Sequence, residues 1–256
     1  MDTGSIYSHE FFAGQMDGSR RSAAIVVPLV LSLMHVDSVI DVGCGVGPWA
    51  NEFLANGITD VWGVDGDYVS REQLQIPSSH FLPRDLTKTL SFGRIFDLAV
   101  CLEVAEHLPA SRADGLVQDL VAAAPCVLFS AAIPGPTGTG HINSQFLPYW
   151  IEAFEKHNYE AIDPIRPKIL GTDSVEWFYQ QDIVMFARQG HPLLSCGFPK
   201  PKSFVHPVLY AQVLHMQPSL GKIVKTLPSA IYRSIRYRLG DHSFLQQKHT
   251  TIAAQR

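Results

Sequence analysis

From Val39 to Ala131, short apolar runs alternate with mixed stretches, and the runs show no internal polar alternation. Val39-Ile40, Val61 to Val64, Phe96 to Cys101 and Cys126 to Ala131 therefore predict strands covered on both faces, as parallel strands are. The stretches between them carry apolar residues at helical spacing. Phe53 and Leu54 predict the inner face of a helix that ends near Asn56-Gly57. A second helix begins near Ser111, with Asp114 three residues on as its capping partner, and continues through Leu116 to Ala124. A helix to about Met34 precedes the first strand. After the fifth strand, a helix over 145–157 and then strand, loop and strand to Ala187 close the sheet. This order predicts an α/β fold, a doubly wound sheet with helices on both faces.

Two regions lie outside that alternation. Residues 1–24 mix aromatic and polar positions (Tyr7, Phe11, Phe12, Gln15, Ser19) and predict a helical segment that packs on the domain or covers its site. Residues 191–256 predict a helical extension to a domain over 1–190. Its helix candidates are Phe204 to Tyr210 and Ile231 to Leu239, where Ile231, Ile235 and Leu239 fall at four-residue spacing with arginines between.

Charge sharpens the division. The formal net charge is −4, yet no Asp or Glu occurs from Ile183 to Gly240, where Arg188, Lys200, Lys202, Lys222, Lys225, Arg233, Arg236 and Arg238 supply positive charge. That segment can dock on its own domain or touch an anionic surface peripherally. Basic residues before it are scattered and outnumbered by acids, which disfavours a nucleic-acid partner. The cysteines (Cys44, Cys101, Cys126, Cys196) are far apart without zinc spacing, as in a reduced cytoplasmic protein. Arg20-Arg21 before an apolar run looks like a signal peptide, but Pro28 and the strand that follows favour a buried helix. No apolar run reaches the roughly 20 residues of a membrane span.

The first strand meets Asp41 and runs into Gly43-Cys44-Gly45-Val46-Gly47-Pro48. Glycines there predict a tight strand-to-helix turn that a ligand approaches closely. A dinucleotide fingerprint needs glycine at the first, third and sixth positions, and the sixth is Pro48. The spacing of one, three and five, with an acid two residues before, resembles the first motif of class I S-adenosylmethionine (SAM) methyltransferases. Asp65 ends the second strand 22 residues after Gly43, where an acid grips a ribose. The resemblance implies a Rossmann-like, mostly parallel seven-stranded sheet with SAM as cofactor. It places Asp41, Gly43, Cys44, Gly45, Asp65, Gly66, Asp85, Leu86 and Leu102 around that cofactor, with Asp85 accepting from the adenine amino group or capping its own turn.

Beyond the fourth strand stands Leu102-Glu103-Val104-Ala105-Glu106-His107. If this segment turns helically, Glu103, Glu106 and His107 share a face. Two carboxylates and an imidazole can hold a divalent cation, with His141 from the Gly- and Pro-rich loop at 133–143 as a fourth ligand. The bland alternative is that the carboxylates favour a helix N-terminus while His107 packs. The Glu-x-x-Glu-His pattern resembles two metal-dependent O-methyltransferase groups, the small-RNA 3′-terminal 2′-O-methyltransferases and the quinone-pathway catechol-type enzymes. The resemblance implies methyl transfer to a hydroxyl of a small sugar-like, diol or aromatic acceptor, assisted by Mg2+ or another divalent cation, with His107 or His141 as the base if no metal is held. An RNA 3′ end and a non-catalytic SAM-binding subunit are the competing readings.

Overall fold

The computed structural model describes residues 9–135 and 138–215, with side chains from 17 on and up to 214. The chain divides into two compact units, Met1–Tyr210 and Ala211–Arg256. The candidate helix at 231–239 lies outside the described residues.

The elements, in order, are α1 (His9–Leu33), β1 (Ser38–Val42), α2 (Pro48–Ala55), β2 (Asp60–Asp65), β3 (Phe81–Pro83), β4 (Leu98–Leu102), α3 (Ala113–Ala123), β5 (Cys126–Ser130), α4 (Leu147–Glu155), β6 (Tyr159–Ile162), α5 (Arg166–Ile169), α6 (Trp177–Asp182) and β7 (Val184–Arg188). A last helix, α7 (Pro207–His215), starts inside the predicted Phe204–Tyr210 candidate. The seven strands form one sheet in the order β3-β2-β1-β4-β5-β7-β6, parallel except that β7 runs against both neighbours. The order reverses between β1 and β4, so the crevice at their C-terminal ends is the ligand edge of such a sheet.

Why the central runs lack polar alternation is visible in the packing. In β1, Val39 faces a layer that holds Ala23, Val26, Val27 and Val30 of α1 and Trp49, Ala50 and Phe53 of α2. Ile40 and Val42 face the opposite layer, with Leu116, Val117 and Leu120 of α3 and Trp150, Ala153 and Phe154 of α4. Both sides of each strand are thus apolar, and β1, β4 and β5 are buried along their whole length. Phe154 stacks on Phe186 of β7 with ring centroids 3.8 Å apart, which closes the second layer. The stretch resembling a signal peptide lies in α1, which runs through Pro28; one face of it, with Ala23, Val26, Val27 and Val30, is buried, while Ala24, Ile25 and Pro28 are exposed. Among the described residues, no helix is long and apolar enough to cross a membrane.

Two local expectations fail. Ser111 does not cap α3. A 3-10 turn over Ala110–Arg112 precedes the helix, Arg112 stands at its N-cap position, and no side chain caps it. Pro109 fixes an extended entry, and Ala110–Arg112 is already wound when α3 begins, so Ser111 lies inside the turn. The stretch between the last two strands, read as loop, contains α5 and α6. Each is too short to show a helical period.

Candidate active site

The glycine turn is shaped by contacts as well as by φ. Gly43 has φ 81°, and a Cβ there would stand 2.2 Å from a Val104 methyl. Gly45 (φ 55°) is also left-handed, and it turns its N–H toward Asp65. The N–H groups of Gly43 and Cys44 both donate to the Val64 carbonyl, at 2.7 and 3.1 Å, which ties the turn to β2. Gly47 precedes α2, with Pro48 at its first turn.

Asp65 ends β2 with its carboxylate at this turn. Oδ2 accepts from the Gly45 N–H at 2.7 Å; Oδ1 accepts from the Gly66 N–H at 2.6 Å and the Tyr68 hydroxyl at 2.5 Å. Asp41 lies buried beneath the turn. Burial, then the charge of Asp65, push its carboxyl up to about 7, against a hydrogen bond from the Ala50 N–H. Its Oδ2 has no partner. Burial raises the Cys44 thiol above its ordinary value, so it stays protonated and packs in the core. Asp85 follows β3 at the same edge, exposed. Its Oδ1 accepts from the Thr87 N–H at 2.9 Å and hydroxyl at 2.6 Å, a local turn that holds its carboxylate below the usual range. Leu86 is half-buried beside it, and Leu102 is buried at the end of β4.

The acidic cluster forms, but not as one helical face. Glu103 has φ 58°, left-handed backbone that breaks the chain between β4 and the 3-10 turn Ala105–His107. The i, i+3, i+4 placement expected from the sequence therefore does not form: Glu106, His107 and His141 converge, and Glu103 is not part of the group within reach of one ion. The Glu103 N–H donates to the carbonyl and hydroxyl of Ser130 on β5, both at 3.1 Å, which pins the bend. The loop after β5 returns over it: the N–H groups of Ile142 and Asn143 donate to the Glu106 carbonyl at 2.8 and 2.9 Å. That return brings His141 edge-on to His107, with ring centroids 4.7 Å apart. Ligand atoms of Glu106, His107 and His141 lie within 4.8 Å of one another.

The electrostatics of this cluster are unfavourable as it stands. Glu106 is fully buried. Burial first, then Glu106 and Asp182 nearby, raise Glu103 well above the carboxylate range. Glu106 is raised by burial against a hydrogen bond from the Ala132 N–H at 3.2 Å. Asp182 is pushed up to about 8, by burial first and then by Glu106. Burial and the neighbouring His107 lower His141 to about 4. Three buried atoms here have no hydrogen-bond partner: Glu103 Oε1, Glu106 Oε2 and His141 Nδ1.

Residues 13–125 match a family model described as a methyltransferase domain. No curated protein matches the chain. Among solved structures, a magnesium protoporphyrin IX methyltransferase from Synechocystis PCC 6803 with bound SAM aligns at TM-score 0.50 and 18% identity, covering 71% of this chain and 85% of the other. An amino pentose methyltransferase from Micromonospora echinaspora, SAM-bound, aligns at TM-score 0.52 and 14% identity, covering 73% and 100%. A sugar N-methyltransferase from Streptoalloteichus sp. aligns at 0.51 and 14%, covering 73% and 98%. The fold is that of class I SAM-dependent methyltransferases, and residues 13–125 are similar to a methyltransferase domain.

The switch-point edge carries two neighbouring groups. The glycine turn, Asp65, Asp85 and Leu102 surround the crevice at β1, β2, β3 and β4. Glu103, Glu106, His107 and His141 stand beyond β4 and β5. Near them, Asp182 escaped the sequence reading, and the structure gives Tyr179 and Asn143 bracing roles. Asp182 enters because β7 is antiparallel, so its N-terminal end reaches the same edge as the C-terminal end of β5; the polar triplet Gln180-Gln181-Asp182 before an apolar strand was its only trace. Tyr179, buried, takes one hydrogen bond with Ser19 of α1 and one from Trp49 Nε1, each at 3.1 Å, and so joins α1, α2 and α6. Asn143, buried, reaches Gln145 Nε2 at 3.0 Å and braces the loop that carries His141.

Proposed function

We propose that this methyltransferase domain moves the SAM methyl group to a hydroxyl of a small molecule, beside a divalent cation held by Glu106, His107 and His141. The buried, unpartnered acceptor atoms on Glu106 and His141 carry this reading. Buried acceptors without donors cost free energy, and a cation among Glu106, His107 and His141, whose ligand atoms lie within 4.8 Å of one another, would offset that cost on Glu106 and His141. A carboxylate and two imidazoles suit a hard or borderline ion such as Mg2+ or Mn2+. When bound, the ion would stabilise a developing alkoxide and orient a diol.

The remaining steps belong to the chain. Asp65 and the glycine turn would hold the cofactor at the C-terminal ends of β1 and β2. The acceptor oxygen attacks the methyl carbon, the carbon–sulfur bond breaks toward sulfur, and S-adenosylhomocysteine leaves. The hydroxyl proton passes to a base at the cluster or to water. A base works best with a pKa near the operating pH, and His141 at about 4 is better suited as a neutral ligand. The fold itself does not select the acceptor: the aligned structures are named for a porphyrin substrate and for amino-sugar chemistry.

The test is S-adenosylhomocysteine release with a panel of catechols, sugar diols and amines, before and after exhaustive chelation. Transfer to a diol that stops on chelation and returns with Mg2+ or Mn2+ is expected. Diol methylation that survives chelation unchanged removes the cation, and transfer confined to amines removes the hydroxyl acceptor.

A further inference from the structure

A carboxylate that grips a ribose must offer an acceptor site on each oxygen, one for each hydroxyl of the diol. Each oxygen has two lone pairs. On Asp65, Oδ1 already takes two donors, the Gly66 N–H and the Tyr68 hydroxyl, while Oδ2 takes one, the Gly45 N–H. Oδ1 must therefore lose a donor before a diol can bridge the carboxylate. The Gly66 amide is the peptide bond that Asp65 itself forms, and the glycine turn carrying the Gly45 amide is tied to β2. Tyr68 is a side chain, and 84% exposed, so it buries little surface where it stands.

We propose that the Tyr68 hydroxyl stands in for a ribose hydroxyl on Asp65 and is exchanged for it when the cofactor binds. This rests on the reading that Asp65 grips the ribose. The local sequence is built for such an approach. The Tyr68 ring crosses Gly66 so closely that a Cβ there would stand 2.1 Å from Tyr68 Cε1. Arg71 binds Asp67 at 2.6 Å and steadies the turn between them. Asp65 is itself 5% exposed, so a second donor on Oδ1 matters when no ribose supplies one. The exchange lowers cofactor affinity and speeds release of S-adenosylhomocysteine, since affinity differences at one site lie mostly in the off-rate.

Calorimetry with S-adenosylhomocysteine and its 2′,3′-dideoxyribose analogue tests the exchange in the parent and in Tyr68→Phe. The variant keeps the ring and removes only the hydroxyl. Expected is about fivefold tighter binding of S-adenosylhomocysteine, the scale of one hydrogen bond to a charged acceptor after water competes, with no gain for the dideoxy analogue. Unchanged or weaker S-adenosylhomocysteine binding overturns the proposal, and so does an equal gain for both ligands. Asp65→Asn separates the underlying reading: if it binds S-adenosylhomocysteine as the parent does, the ribose assignment fails, whatever Tyr68→Phe does.

Discussion

At the scale of single residues, Asp41 shows how a buried acid at the glycine turn shapes stability. Its carboxyl titrates at about 7 in the folded chain against an ordinary 3.8. Between those values the folded state holds a proton that the unfolded state has released, so raising the pH destabilises the fold. The contribution is fully present below about pH 4 and lost as pH rises through 7, on the order of 4 kcal/mol at most. Asp41→Asn cannot lose the proton and keeps an oxygen for the Ala50 N–H. In thermal melts without cofactor, parent and variant should agree near pH 4, and the variant should melt higher at pH 8. A parent–variant difference that does not change with pH would sink this account.

At the scale of elements, α3 is locked to the segment after β3 through Arg112. Its Nε donates to the Leu86 carbonyl at 3.0 Å and its Nη2 to the Lys88 carbonyl at 2.7 Å. The same guanidinium pairs with buried Asp119, whose Oδ2 also accepts the Leu90 N–H at 2.8 Å. Arg112→Met leaves two carbonyls without their donor and the buried carboxylate without its counter-charge, with only the Leu90 N–H, which should cost about 3–5 kcal/mol, read as a lower urea midpoint. Because residues 86–90 follow Asp85 directly, S-adenosylhomocysteine affinity should fall as well. A variant with the parent's midpoint would show the clamp to be idle. Elements of this kind divide by legibility. The strands were readable because an uninterrupted apolar run has one explanation in a two-layered sheet, and the glycine turn because its spacing excludes alternatives. Arg112 gave no signal: a buried arginine looks like any helical arginine until its partners, far apart in sequence, are brought together. Glu103 misled for the opposite reason. Its spacing to Glu106 and His107 fits a helix, but the bend that pins it to Ser130 is set by the neighbouring strand.

At the scale of the whole sheet, β1 and β4 separate two tasks that the chain brings to one edge. The proposed donor side rests on β1, β2 and β3, through the glycine turn, Asp65 and Asp85. The proposed acceptor side rests on the ends of β4 and β5, with Asp182 from the antiparallel β7. The two groups share Gly43 and Val104, which touch across the crevice, but no hydrogen bond described among these residues joins Asp65 to Glu106. Separate elements should give separable losses. Glu106→Gln removes a negative charge from the cluster and conserves its volume, so calorimetry should show Mn2+ binding fall at least tenfold while S-adenosylhomocysteine affinity stays within about twofold. Asp65→Asn should do the reverse: weaker S-adenosylhomocysteine binding with Mn2+ binding intact. If Glu106→Gln instead weakens S-adenosylhomocysteine as much as Asp65→Asn does, the cluster is part of the cofactor's own cradle, and the division of labour along the sheet edge is wrong. If neither variant alters Mn2+ binding, the unpartnered acceptors on Glu106 and His141 answer to something other than a cation.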